Sequence, residues 1–162
     1  MGESTQRNPA NQSRAAFTLV EIMVVVVVIG ILASLALPAF TGAKRKSENS
    51  KLVADFQSFR SAFQQYALEV GNWPANEVVG VMPSELDGYV SRTLFEKTTV
   101  DGSRWDWQGP GGATGTTYGL ALLGGSLEDE RMEEVDALLD DGDLGTGTFQ
   151  LIGSHYTLIF EG

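Results

Sequence analysis

Cysteine is missing from all 162 residues. No disulfide can close a loop, and neither thiolate catalysis nor thiolate metal ligation is available. Histidine occurs once, at His155, so a metal site built on a histidine cluster is excluded. A Ser–His–Asp hydrolase would have to rest on that one ring, and no Gly-x-Ser-x-Gly elbow accompanies it. Basic residues are scarce, 11 against 21 acids, for a formal charge of −10. That balance argues against a nucleic-acid surface, which needs clustered Lys and Arg. The Gly-rich stretch from Gly109 to Gly115 lacks the Gly-Lys-Ser/Thr ending of a phosphate-cradling loop. An enzyme is therefore not expected.

What the chain does have is a long apolar run, Phe17 to Phe40 (FTLVEIMVVVVVIGILASLALPAF), holding five consecutive valines and one carboxylate, Glu21. As a helix it is long enough to cross a hydrocarbon core of roughly 30 Å. The valines favour strands, yet in lipid only a helix satisfies every backbone group within one segment. Secretory signal peptides fit poorly, since their apolar cores run roughly 7–15 residues and carry no acid. An acid within a membrane helix costs roughly 3 kcal/mol or more near the bilayer centre and usually has a partner. Cleavage before Phe17 would create a free ammonium one helical turn from Glu21. Between staggered chains, such a pair would set the register of packed helices.

Pro38 cannot donate to Ser34 and is expected to bend or interrupt the helix, with Gly30 a second weak point. Beyond it, Leu52, Phe56, Phe59, Phe63, Tyr66 and Val70 recur at steps of four and three, an amphipathic stripe that marks core. Gly71 ends this helix and Pro74 prevents its return. From Phe17 to Val70 it would measure roughly 80 Å. Residues 72–99 read as an irregular connection with a short helix or turn between Pro83 and Tyr89.

Strands are expected at Arg104–Gln108 and Thr116–Leu123. A helix is expected to open at Ser126, with Asp129 completing a capping box and Met132, Val135, Leu138 and Leu139 forming its apolar face. A hairpin then joins 148–152 to 156–160 through Gly153-Ser154. The fold class is α+β: a long N-terminal helix, hydrophobic in its first half, packed on a small antiparallel sheet of three to four strands. The segments are 1–16, a polar leader; 17–43, the hydrophobic helix; 44–71, the amphipathic helix; and 72–162, a globular α+β domain.

The stretch Ala16-Phe17-Thr18-Leu19-Val20-Glu21, with the apolar run, Gly30 and Pro38 after it, resembles the N-terminus of type IV pilins and type II secretion pseudopilins. The resemblance implies cleavage by a prepilin peptidase between Ala16 and Phe17 and N-methylation of Phe17. It also implies an assembly role for Glu21 and local helix breaking at Gly30 and Pro38. The residue before the cut is usually Gly in that family and is Ala16 here.

The implied function is a structural subunit of a pilus-like or pseudopilus filament, with other pilin subunits, the peptidase and an inner-membrane assembly platform as partners. It implies a single-pass protein of the bacterial inner membrane with its C-terminal domain in the periplasm, later in a periplasmic or extracellular filament. Charge counting points the other way, since Arg7 and Arg14 precede the span and Lys44, Arg45, Lys46 and Lys51 follow it. The alternative is an anchored periplasmic binding module that does not polymerise.

The C-terminal half carries Trp105-Asp106-Trp107, then Val135-Asp136 and Asp140-Asp141-Gly142-Asp143 with Thr146-Gly147. These resemble a subgroup of pilin-like proteins. Asp140, Asp141 and Asp143 offer the hard oxygen ligands that calcium prefers, without EF-hand spacing, and major pseudopilins carry calcium in their C-terminal loops. Turn formation alone also explains such residues. Trp73, Trp105 and Trp107 are expected to pack in the core or on a sheet face.

Overall fold

The computed structural model describes residues 17–109, 112, 115 and 118–161, the last of these by its backbone. Residues 1–16, the expected leader, and most of the Gly-rich loop after Gln108 lie outside them. Contacts divide the chain into two compact units that meet between Gly42 and Ala43. Helix α1 (Leu19–Val70) crosses that division.

In the first unit α1 is helical throughout and carries Pro38 inside it, with no interruption at Gly30 or Pro38. The Thr41 hydroxyl donates to the Pro38 carbonyl at 2.9 Å, and the Ser34 hydroxyl to the Ile31 carbonyl at 2.7 Å. Every residue from Phe17 to Lys44 is exposed. The helix is long and apolar enough to cross a membrane.

In the second unit the remainder of α1 packs on a four-stranded antiparallel sheet of order β1-β2-β4-β3. The strands are β1 (Arg104–Gln108), β2 (Tyr118–Leu123), β3 (Phe149–Ile152) and β4 (His155–Glu161). Register puts Trp105 opposite Leu122 and Trp107 opposite Leu120, with Leu120 in turn opposite Leu158. Because side chains alternate along a strand, these residues share one face, and the phenylalanine stripe of α1 covers it. Phe56 and Phe59 meet Trp105 edge-on at 4.7 and 4.8 Å, and Phe63 stacks on Trp107 at 4.0 Å. Leu52, Phe56, Phe59 and Phe63 are buried, Tyr66 is half-buried, and Val70 at the end of the stripe is exposed. Gly71 terminates the helix at φ +82°, its N–H reaching the Ala67 carbonyl at 2.9 Å.

The expected hairpin forms, with Ile152 opposite His155 and Gly153 at φ +65°. Two local expectations need correction. The connection after Pro83 holds a short 3-10 turn (Ser84–Leu86) and also helix α2 (Arg92–Glu96), anchored by buried Phe95. Helix α3 runs Asp129–Leu139 with Glu128 as its N-cap, not Ser126. The Ser126 N–H and hydroxyl donate instead to the Asp101 carbonyl at 2.9 and 3.3 Å, which leaves Ser126 outside the helix.

A polar network ties α3 to α1 within this unit. Arg131 of α3 donates to Asn49 at 2.9 Å and to Asp101 at 3.3 Å, with Glu48 at 3.7 Å. Beside it Arg45 grips Glu134 through two nitrogens, at 3.0 and 2.9 Å, nearer the surface.

Candidate functional sites at the helix start and at the end of α3

The N-terminal site is built by the first turn of α1. Thr18 and Glu21 stand three apart, and each satisfies an unpaired backbone donor of the other. The Thr18 N–H and hydroxyl both donate to Glu21 Oε2 at 3.0 Å, and the Glu21 N–H donates to Thr18 Oγ1 at 3.2 Å. This is a capping box, the reciprocal bonding that Ser/Thr-x-x-Glu allows at a helix start. Sequence reasoning missed it, although Thr18-Leu19-Val20-Glu21 spells the pattern. Phe17 precedes the helix and is exposed. Ala16, the other side of the expected cut, lies outside the described residues. Glu21 is thus held in place by its own chain, one turn from Phe17, at the head of an uncovered apolar surface.

A second cluster forms where α3 ends. The carboxylate oxygens of Asp136, Asp140 and Asp141 lie within 4.8 Å of one another. Asp140 accepts the Thr148 N–H, and Asp141 accepts the Thr146 hydroxyl at 2.9 Å and the Asp143 N–H at 3.0 Å. Asp136 differs from both: it is wholly buried, and neither of its oxygens receives a formed hydrogen bond. The Gly142 N–H leans toward it. Burial first, then the like charges of Asp141 and Asp140, push its carboxyl up to about 6. Asp143 is not brought into the cluster, because its carboxylate is spent on the Gly145 N–H at 2.9 Å within its own turn. The helical period could have found Asp136, four positions after buried Met132 and next to buried Val135.

Other singled-out residues fall into structural places. Trp105 and Trp107 are core, and half-buried Trp73 stacks on Tyr118 at 5.2 Å. His155 begins β4 beside the turn, its Nδ1 3.4 Å from the Ser154 hydroxyl.

The first turn of α1 and the apolar helix behind it fall where this chain is similar to known proteins. Residues 11–37 match the prokaryotic N-terminal methylation motif. The chain is similar to the type II secretion system core protein G of Klebsiella michiganensis, 46% identical over 66 residues, covering 41% of this chain and 46% of that protein. It is also similar to the type IV major pilin protein PilE1 of Neisseria gonorrhoeae, 34% identical over 94 residues, covering 56% of this chain and 52% of the pilin. A fimbrial protein of Neisseria meningitidis matches at 34% over 77 residues, 48% of this chain and 45% of that protein. The chain thus spans about half the length of the curated relatives it matches. These relatives bear the names of a secretion core protein and of pilins, none of them an enzyme. No solved structure gives a significant match.

Proposed function

We propose that this protein is a structural subunit of a filament, either a type IV pilus-like fibre or a type II secretion pseudopilus. On this reading it is made as a single-pass prepilin of the inner membrane, with its C-terminal domain in the periplasm. A prepilin peptidase cuts before Phe17, the new amine is methylated, and an assembly platform extracts the helix into a bundle of its own kind.

The observation that carries this reading is the bare apolar helix with one oriented acid at its head. From Leu19 to Phe40 the large apolar side chains are about half or more exposed, for example Val24 at 57% and Leu35 at 70%. A patch of this size does not stay in water. Lipid covers it first, and neighbouring copies cover it in the filament. Glu21 meets the amine that cleavage would create on a neighbouring Phe17, an attraction that strengthens as water is excluded. Local unwinding between Gly30 and Pro38 belongs to the packed filament on this reading, since the single chain is helical there.

Two measurements test it. Mass spectrometry of the mature protein should find N-methylated Phe17 at the N-terminus; a chain that still begins at Met1 would be an anchored module that does not polymerise. Glu21→Ala should insert in the membrane normally and assemble poorly, and normal filaments from that variant would sink the role given to Glu21.

A further inference from the structure

We propose that Asp106 and Gln108 form a proton-operated latch on the outer face of the sheet. With a proton on Asp106, the carboxyl donates to Gln108 Oε1 and the latch is closed. Without it, that oxygen stays unpaired and the end of β1 loosens.

Strand register places the pair. Trp105 and Trp107 meet the phenylalanines of α1, so Asp106 and Gln108 stand on the opposite face of β1. Across that face Asp106 lies opposite Ala121, and Ala121 opposite Thr157. Water does not reach this row: Asp106 is 2% exposed, Gln108 3%, and Ala121 and Thr157 are wholly buried. The Gln108 amide donates through Nε2 to Asp106 Oδ2, while its own Oε1 is buried with no hydrogen-bond partner. A buried acceptor left unpaired is costly. An ionised carboxylate has only lone pairs, so Asp106 in that form offers Oε1 nothing.

One proton from solvent repairs the count. The neutral carboxyl gains an O–H donor. The Gln108 amide, turned about its last bond, presents Oε1 to that donor and swings Nε2 toward Gly112 and the Gly109 carbonyl. The charged groups acting on Asp106 are His155, at the head of β4, and Arg104, two positions earlier on β1, and both favour the ionised form. Burial opposes them and prevails. Arg104 also donates to the Val79 carbonyl at 2.6 Å, and the cross-strand neighbours Ala121 and Thr157 carry no charge. What the latch holds lies next to it. The Gly109 N–H donates to Asn76 Oδ1 at 2.9 Å, and the Trp107 indole to the Pro74 carbonyl at 3.2 Å, so the end of β1 anchors the segment that follows α1.

The test uses the full chain in detergent micelles. Infrared difference spectra of wild type against Asp106→Asn isolate the carboxyl band of Asp106 across a pH series. That band should persist above pH of about 3.9, where an ordinary aspartate ionises. In Gln108→Met it should move to the frequency of an unbonded carboxyl, and in His155→Gln its midpoint should shift to higher pH. Hydrogen exchange at the Gly109 N–H supplies the mechanical readout, compared with Asp106→Asn at each pH so that intrinsic exchange cancels. Wild type should match the variant in acid and exchange several-fold faster above the midpoint. A midpoint at or below that of an ordinary aspartate would overturn the proposal. So would a band that Gln108→Met leaves in place, or Gly109 exchange equal in the two proteins at every pH.

Discussion

Replacing Arg131 by leucine asks how much the latch between α3 and α1 contributes to stability. The guanidinium holds Asn49 at 2.9 Å and Asp101 at 3.3 Å, and the side chains of Arg131 and Asp101 are only 14% and 5% exposed. Removing one partner of a buried pair costs about 3–5 kcal/mol when the other charge is left alone. Asp101 is not left alone, since the hydroxyls of Ser103 and Thr99 and the Ser103 N–H still donate to it. Burial pushes its carboxyl up, but those bonds and the Arg131 charge outweigh burial and hold it below the ordinary value. The loss should therefore come to about 2–3 kcal/mol. That corresponds to a drop in Tm of about 5–10 °C, read by near-ultraviolet circular dichroism of the full chain in detergent. Arg45→Leu is the control. Its partner Glu134 is 47% exposed, and exposed pairs contribute about 0–1 kcal/mol. If both variants melt alike, or Arg131→Leu melts within about 1 °C of wild type, the burial argument is wrong.

Phe56→Ala removes a ring lodged against Trp105 at 4.7 Å and Phe149 at 5.2 Å, and should destabilise the globular unit by about 3–5 kcal/mol in denaturant titration. Asp106 is buried, and that burial raises its carboxyl above the usual value in spite of help from Gln108 and His155. A raised acid supports the fold while protonated, and that support is lost as pH climbs through its folded value. Asp106→Asn should accordingly raise Tm at pH 7 and change it little at pH 3, as two melting curves would show.

The strongest periods in the chain were the easiest to read. The phenylalanine stripe, the alternation of Arg104–Gln108 and the Gly153-Ser154 turn each follow from local geometry, and each formed where expected. Helix α2 was not legible because five residues are too few to show a period. Its place depends on distant partners, with Phe95 against Phe59 at 5.2 Å and Arg92 donating to the Met82 carbonyl at 3.0 Å. Ser126 misled for a similar reason, since its apparent capping role gave way to the Asp101 carbonyl, 25 positions earlier. At the candidate sites, Glu21 stood out by contrast with its surroundings. Asp136 did not, because one more acid in an acidic helix looks like solvated surface until the apolar face is traced through it.

The bonding of Glu21 to Thr18 bears on how identical helices choose a stagger. In the proposed filament, a side chain already clamped by two donors would have surrendered its freedom before any neighbour arrived, so an approaching amine would find its target aimed and stationary. A neighbour shifted in that filament by one turn toward the valines would meet no acid, and the fibre would sort its members by fit.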